Sequence, residues 1–282
     1  MENLKIIKNR IKTVDSIVKA TNAMKMVSTV KLAKVNNLNR YSKKCAAILF
    51  DMFSRATREI VFEQGFNENP WFHRKSGKTL IIVLSTDQGF CGSFNQFIYE
   101  KSQETIKTHP KSYVEVFGKK CNWIKQKKVD DTISRDLSSR YDIDSFASML
   151  AQLVFKYIHD HSVNEVFVIS GEFKNVLIQK SRCLKIFPME ESDITDCEYT
   201  AVEGSRLEFI TSVFKVYLSK LFVGIVTEHL ISELSARVMA MDNSVRNANE
   251  MFEKLSVLYN RVRQAKITQE LTEIVSSIEC VQ

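Results

Sequence analysis

The chain has 282 residues, of which 44% are hydrophobic, and its formal net charge is +7. This size and composition suffice for a substantial core, which excludes a disordered tail. Its six cysteines contain no C-x-x-C pair, so reduced thiols are favoured over a disulfide framework or a zinc site. No uncharged apolar run reaches the roughly 18 residues of a membrane span, and Met1 leads into a helical pattern without a leader. We therefore expect a chain that is soluble by itself and works in the cytoplasm.

Positive charge is concentrated near the N-terminus. Residues 1–44 contain eleven Lys and Arg against two acids, a local charge of +9, so the rest of the chain sums to −2. Such a segment suits nucleic acid, an anionic membrane surface or an acidic protein partner. The basic residues lie on all faces of the predicted helix and no base-reading module accompanies them. The pattern therefore favours a protein-facing or solvated helix over one that binds nucleic acid.

The first predicted element is a long helix over residues 1–60. Gly and Pro are absent from residues 1–64 and again from 225–282, so both ends of the chain favour long helices. Apolar residues recur in alternating steps of three and four at Leu4, Ile7, Ile11, Val14 and Val18, and again at Leu38, Tyr41, Cys45, Ile48 and Met52. Between the two blocks the register slips. We predict that both blocks face a partner helix.

Residues 75–200 predict a central domain in which strands and helices alternate. Expected strands are Thr79–Leu84, Tyr113–Phe117 and Glu165–Ile169, with Asn175–Ile178 as an additional edge strand. Expected helices cover residues 94–108 and an apolar face from Phe146 to Ile158. This alternation predicts a small, mostly parallel, Rossmann-like sheet. The acidic stretch from Pro188 to Gly204 is expected to form an exposed loop.

The last predicted element is a helix over residues 206–282. Its apolar seam comprises Leu234, Val238, Met241, Val245, Ala248, Phe252, Leu255, Tyr259 and Val262. The stripe resumes out of phase at Ile267, Leu271, Ile274 and Ile278. Striped helices at opposite ends of a chain bury their seams against each other by lying antiparallel. The predicted fold is therefore α/β, a long antiparallel coiled coil of N- and C-terminal helices with a central Rossmann-like domain; two separate helices packed on a globular core remain the alternative.

The loop that follows the first strand, residues 89–95 (GFCGSFN), is the candidate phosphate site. It lacks both the G-x-G-x-x-G fingerprint and the Gly-Lys-Ser/Thr of a Walker loop, so we interpret it as a tight turn in which Gly supplies positive φ. The residues predict no catalytic, cofactor-binding or metal site. They favour a mechanical or interaction protein; a scaffold that binds nucleic acid or an acidic partner, and a nucleotide-binding enzyme, remain alternatives.

Four segments resemble the gamma subunits of F-type ATP synthases, in the family's order and over essentially the whole chain. They are residues 21–27 (TNAMKMV), 85–95 (STDQGFCGSFN), 233–241 (ELSARVMAM) and 259–274 (YNRVRQAKITQELTEI). The resemblance implies a non-catalytic rotor subunit, without a cofactor, that couples proton translocation to ATP synthesis or hydrolysis. Phe90 replaces the commoner Leu, Gln88 replaces a commoner basic residue, and the last six residues depart from the family's small-residue ending.

The resemblance also implies partners and contact residues. Contacts to the beta subunit fall on Met24, Lys25, Arg237, Arg263, Gln264, Thr268 and Glu270; contacts to the c ring and epsilon fall on Tyr199 and Glu203. Lys25 and Arg237 would supply positive charge to an acidic loop of beta, while coiled-coil packing is an equal alternative for Met24. The implied partners are the alpha, beta and epsilon subunits and the c ring, with no nucleic acid. The implied location is the cytoplasmic face of the bacterial plasma membrane, as a peripheral protein.

Overall fold

A computed structural model describes residues 4–64, 77–121, 132–135, 143–160, 163–175, 178–188 and 206–279. Two long helices, α1 (Leu4–Gln64, 61 residues) and α4 (Arg206–Glu279, 74 residues), lie at the two ends of the chain. The chain divides into two compact units, Met1–Ser28 with Val238–Gln282, and Thr29–Arg237. Each terminal helix contributes residues to both units.

Between Ile7 and Ser42 of α1, every seventh residue is buried. The buried positions are Ile7, Val14, Thr21, Ser28, Val35 and Ser42. The first predicted seam block is therefore confirmed, but the predicted slip after it is wrong, because the heptad continues unbroken through hydroxyl residues. These hydroxyls bond their own helix: Thr21 Oγ1 donates to the Ile17 carbonyl at 2.7 Å and Ser28 Oγ to the Met24 carbonyl at 2.8 Å. A buried hydroxyl that is satisfied in this way costs little.

The second predicted seam block of α1 is wrong. Leu38, Tyr41, Ile48 and Met52 are 43%, 73%, 63% and 45% exposed, and Cys45 is exposed as well. The buried face at this level of the helix instead contains Val35, Ser42 and Phe53. Apolar spacing alone selected the wrong face, because the true seam carries small hydroxyl residues that hydrophobicity does not detect.

Contacts within the second unit show that α1 and α4 are antiparallel, as predicted. Val35 of α1 clusters with Ile231 and Leu234, whereas Phe53, further along α1, lies 5.4 Å from Phe214, between ring centroids. Residue numbers on α4 thus fall as those on α1 rise. Phe53 is fully buried, so the pair forms part of the main core.

Within the first unit, an ion pair defines the helix register. Lys25 Nζ lies 2.5 Å from Asp242 Oδ1, so in an antiparallel pair Leu4, the first described residue of α1, faces the level of residue 263 on α4. The seam of α4 is accordingly half-buried or buried at most positions up to Val262. Beyond that level Ile267, Leu271 and Ile274 are 47%, 58% and 56% exposed, because no described residue of α1 lies opposite them.

The second unit contains a five-stranded sheet in the order β3-β2-β1-β4-β5. The strands are β1 (Thr79–Leu84), β2 (Ser112–Phe117), β3 (Thr132–Arg135), β4 (Glu165–Phe173) and β5 (Gln179–Phe187). β1 pairs in parallel with β2 and β4, and β2 with β3, whereas β5 is antiparallel to β4. The mostly parallel Rossmann-like sheet is thus confirmed.

Both faces of β1 are buried, as its uninterrupted apolar sequence requires. Ile81 and Val83 pack with α2 (Phe94–Thr108), while Leu80 and Ile82 share a core with α3 (Ile143–Asp160) and α4. Both intervening helices coincide with their predicted positions.

Two edges of the sheet differ from the sequence prediction. β3 was not predicted. The antiparallel edge strand is Gln179–Phe187; Asn175 and Ile178, the two ends of the segment expected to form it, lie outside the strand, and Ile178 N donates to Asn175 Oδ1 at 2.7 Å. An edge strand needs no continuous apolar run, so β5 (QKSRCLKIF) carries little apolar signal. The predicted loop from Pro188 to Gly204 lies, apart from Pro188, outside the described residues.

By length and composition, α4 contains an 18-residue window of mean hydropathy 1.7 that could cross a membrane. Of that window, 56% is buried inside the protein. Buried side chains of α4, including Phe214, Leu218 and Phe222, belong to the main core, so packing within the chain accounts for much of this apolar composition.

Candidate functional site

The loop between β1 and α2 is braced by its own side chains. Asn95 Nδ2 donates to Thr86 Oγ1 at 2.8 Å and to Cys91 Sγ at 3.2 Å, and Thr86 Oγ1 donates to the Gln88 carbonyl at 2.9 Å. Gly92 has φ 58°, which confirms the expected turn in which glycine supplies positive φ. The loop's polar groups are thus bonded to one another.

Phe90 has an unusual position in this loop. Its φ is 62°, a left-handed conformation that is rare for a bulky residue, and its side chain is 68% exposed. Folding therefore holds an apolar ring in water on a strained backbone, an arrangement that often marks a functional site. In the sequence, Phe90 stands out only as a departure from the family pattern. The signal that could have indicated its role is an aromatic residue between Gly89 and Gly92.

Arg237 is buried against the same loop. Its Nε donates to the Gly89 carbonyl and its Nη2 to the Gln88 carbonyl, both at 3.3 Å, and Nη2 lies 2.5 Å from Glu233 Oε1. Burial raises the pKa of the Glu233 carboxyl, and the Arg237 guanidinium opposes that shift. With 8% of its surface exposed, Arg237 uses its charge within the chain. Arg237 thus links α4 to the loop, and its contact with a beta subunit, which the resemblance implies, stays a prediction.

A second buried charge on α4, Glu228, lies nine residues before Arg237. Glu228 Oε2 lies 2.8 Å from Lys43 Nζ on α1 and 3.2 Å from Arg182 Nη2 on β5, and the Glu228 side chain is 6% exposed. One carboxylate thereby joins three elements of the second unit. Charged residues within an otherwise apolar stretch of α4 were the signal from which sequence reasoning could have inferred this role.

His229 connects α4 to β4. Its Nδ1 accepts a hydrogen bond from the Gly171 backbone N at 3.1 Å, and burial lowers the pKa of His229 to about 4, opposed by a backbone hydrogen bond to Ser85. Gly171 permits this close approach, since a Cβ there would lie 2.6 Å from the Phe94 ring. The imidazole is therefore neutral at physiological pH and serves as a packing group.

The first unit presents Met24 beside a charged cluster. Met24 is 46% exposed, so packing in the helix pair does not bury it fully. Lys25 bonds Asp242, which also receives Arg246 Nη2 at 2.5 Å, and these two partners hold the pKa of the Asp242 carboxyl below its usual value. Arg246 is the most exposed of the three, with 72% of its side chain in solvent. This surface therefore combines an apolar side chain with accessible positive charge.

The C-terminal part of α4 presents the remaining predicted contact residues. Arg263, Gln264, Thr268 and Glu270 are all exposed. Thr268 Oγ1 bonds the Gln264 carbonyl of its own helix at 3.0 Å, and Glu270 Oε1 lies 3.5 Å from Lys266 Nζ, with both side chains largely in solvent. The structure thus brings these four residues together on an accessible helix. Tyr199 and Glu203 lie outside the described residues.

Cys45, Cys91 and Cys183 are free thiols. Cys45 is exposed, Cys183 half-buried and Cys91 buried, and burial raises the pKa of the Cys91 and Cys183 thiols. Within the described ranges, His, Cys, Asp and Glu side chains form no group of three or more that could hold a metal ion.

Comparison with known proteins identifies the family. A family model described as ATP synthase matches residues 3–281. ATP synthase gamma chains from Mycoplasmopsis synoviae and Geotalea daltonii are each 32% identical to this chain, over 99% and 100% of both sequences respectively. One from Malacoplasma penetrans is 31% identical over 98% of both.

Solved structures share the fold. A chain of the Euglena gracilis mitochondrial ATP synthase, in an OSCP/F1/c-ring structure, matches with a TM-score of 0.70 at 16% identity and covers 99% of this chain and 94% of that one. A chain in the central stalk and c-ring structure of the Tetrahymena thermophila enzyme matches with a TM-score of 0.62 at 18% identity, covering 79% and 98%. The chain has the stalk-subunit fold, a pair of long terminal helices with a Rossmann-like domain between them. It belongs to the ATP synthase gamma-chain family.

Proposed function

We propose that this chain is the central-stalk rotor subunit of an F-type ATP synthase and couples proton translocation through the membrane sector to ATP synthesis or hydrolysis on the alpha/beta head by rotation. The chain carries no catalytic step of its own. The observation that carries the proposal is the end of α4, which continues past the level of Leu4 as an exposed helix with Arg263, Gln264, Thr268 and Glu270 on its surface. Such a helix is suited to contact surrounding subunits.

The coupling role requires contacts that differ between states of the catalytic subunits. A shaft that bound open and closed states equally well would shift neither, so rotation must present different side chains to each beta subunit in turn. The exposed polar residues at the end of α4 and the cluster of Met24, Lys25 and Arg246 are the surfaces that we assign to this task. Both combine charge or hydrogen-bonding capacity with exposure.

Arg237 has an indirect part in the proposal. Because its guanidinium bonds the Gln88 and Gly89 carbonyls, it positions the loop, and the exposed ring of Phe90 is the group that the loop offers to a beta subunit. On the basis of the family resemblance, we also assign Tyr199 and Glu203 to contacts with epsilon and the c ring. The complex then places the chain at the cytoplasmic face of the bacterial plasma membrane as a peripheral subunit.

The test is reconstitution of the full chain with purified alpha and beta subunits from the same source. We expect one copy per alpha-beta hexamer, measured by light scattering after size exclusion, and the onset of steady ATP hydrolysis. A chain that remains separate, or that joins the hexamer without changing hydrolysis, contradicts the rotor assignment. Salt-sensitive binding of DNA by the separate chain would then favour the scaffold alternative.

A further inference from the structure

A groove lies between α3 and the first turns of α4, on the second unit. Its cavity volume is about 480 Å³, within the usual range for small-molecule sites. The two helices run antiparallel along it: Ser148 Oγ lies 3.1 Å from Ser219 Oγ, while Lys215 Nζ lies 4.4 Å from the centroid of the Phe155 ring. Neither the predicted coupling contacts nor the buried ion pairs described above line this groove.

Apolar side chains form part of the groove surface. Ala151 is buried, Phe155 is half-buried, and Val216 is 49% exposed although it lies on a helix whose neighbouring turns are deep in the core. An exposed valine next to an aromatic ring in a concave surface offers burial to a ligand's apolar part.

Positive charge surrounds this apolar surface. Lys156, Lys215 and Lys220 all line the groove. The Asp144 carboxylate forms an ion pair with Lys220, with 3.3 Å between Oδ1 and Nζ. Both side chains are substantially exposed, so a ligand can readily replace this contact. Charges of one sign in a cleft with apolar walls raise the local concentration of oppositely charged ligands.

Two hydroxyls add a directional group. In the Ser148–Ser219 pair one hydroxyl donates to the other, so the accepting serine retains its hydrogen for a further bond. Three ammonium groups and a hydroxyl match the several oxygens and the charge of a phosphate better than a single carboxylate.

We propose that this groove binds a phosphate-bearing amphiphile, with the phosphate held by Lys156, Lys215 and Lys220 and a ring or acyl part against Phe155 and Val216. Nucleotides and anionic phospholipids share this chemistry. The site goes beyond the rotor function, since the groove can bind its ligand whether or not the chain assembles with alpha and beta.

The experiment is isothermal titration of the full chain with three probes: inorganic phosphate, ATP without magnesium, and dihexanoyl-phosphatidylglycerol below its micellar concentration. We expect one equivalent of ATP or of the phospholipid to bind and inorganic phosphate to bind more weakly. The amphiphile that binds identifies the source.

The variant Lys156→Gln/Lys215→Gln/Lys220→Gln should weaken that binding by about 1,000-fold, because each of the three charge-assisted contacts is worth about tenfold. The matched control Lys107→Gln/Lys111→Gln/Lys180→Gln removes the same charge from exposed positions of the same unit outside the groove and should leave affinity within about twofold. Val216→Glu, at an exposed position where folding is not at risk, should also abolish binding.

Three results would overturn the proposal. One is the absence of binding by all three probes. Another is an equal loss in the groove variant and its charge-matched control, which would indicate non-specific attraction to a basic protein. The last is inorganic phosphate binding as tightly as both amphiphiles, which would show that the apolar surface contributes nothing.

Discussion

Arg237 and Glu233 form a buried ion pair one helical turn apart on α4, with 2.5 Å between Nη2 and Oε1 and each side chain 9% exposed. The same guanidinium bonds two carbonyls of the loop between β1 and α2. Two segments that carry the family resemblance, residues 85–95 and 233–241, therefore meet in space although some 150 residues separate them.

Removal of Arg237 should destabilise the protein strongly. Arg237→Ala leaves the Glu233 carboxylate buried without a partner, and we expect the free energy of unfolding to fall by about 3–5 kcal/mol in urea titrations. Arg246→Ala, which breaks an ion pair of the same length with 72% of the Arg246 side chain exposed, should cost less than about 1 kcal/mol. The double variant Arg237→Leu/Glu233→Leu should recover most of the loss. Equal losses of unfolding free energy for Arg237→Ala and Arg246→Ala would contradict the role of Arg237 in linking α4 to the loop.

Adjacent residues of α1 should differ sharply in their contribution to stability. Phe53 is fully buried against Phe214, so Phe53→Ala should lower the free energy of unfolding by about 3–5 kcal/mol. Met52 is 45% exposed, and Met52→Ala should change it by less than about 1 kcal/mol. Thermal and urea unfolding measure both. A larger loss for Met52→Ala than for Phe53→Ala would instead support the buried face that the apolar spacing predicts.

Substitution of Phe90 by glycine should impair coupling without lowering the stability of the chain. Phe90→Gly relieves a left-handed backbone at φ 62°, so stability should be unchanged or higher by up to about 1 kcal/mol. In vesicles that contain the whole ATP synthase, including its membrane sector, the same variant should lower ATP-driven proton pumping, measured by quenching of a pH-sensitive dye. Phe90→Leu keeps an apolar side chain and should pump nearly normally. Full pumping by Phe90→Gly would remove this residue from the proposed contacts.

His229 should make stability depend on pH. Its pKa is lowered from 6.5 to about 4 in the folded chain, so the unfolded chain takes up the proton first as pH falls. The His229 contribution is thus fully present above pH 6.5 and is lost progressively toward pH 4, by up to about 3 kcal/mol. His229→Asn, which keeps an acceptor for Gly171 N but does not titrate, should lose correspondingly less stability over this range. Identical pH profiles for the two proteins would disprove the assignment.

The end of α4 should matter for coupling and little for folding. Arg263→Ala/Gln264→Ala removes two exposed side chains, so the free energy of unfolding should change by less than about 1 kcal/mol, while ATPase activity of the reconstituted complex should fall severalfold. The matched control is Asn260→Ala/Arg261→Ala, which removes the same two kinds of exposed side chain about one turn earlier. If both double variants lose activity to the same extent, the assignment to Arg263 and Gln264 is not specific.

The chain's sequence by itself determined the two long helices and most of the sheet. Gly and Pro are missing from both ends, and both ends form long helices, because helix propensity and breakers act locally. The apolar run of β1 likewise predicted a strand buried on both faces. The family resemblance depends on residue types in a fixed order along the chain, and the sequence shows these directly.

Tertiary structure decided which faces and charges are used. Thr21, Ser28 and Ser42 are buried in the seam while Leu38, Tyr41 and Met52 face solvent, since burial depends on what lies opposite and hydroxyls can be satisfied within their own helix. The sequence suggests that Arg237 is a surface charge, but the side chain is buried and bonds loop carbonyls that lie some 150 residues away along the chain. A contact of that kind depends on the folded backbone, which no local pattern encodes.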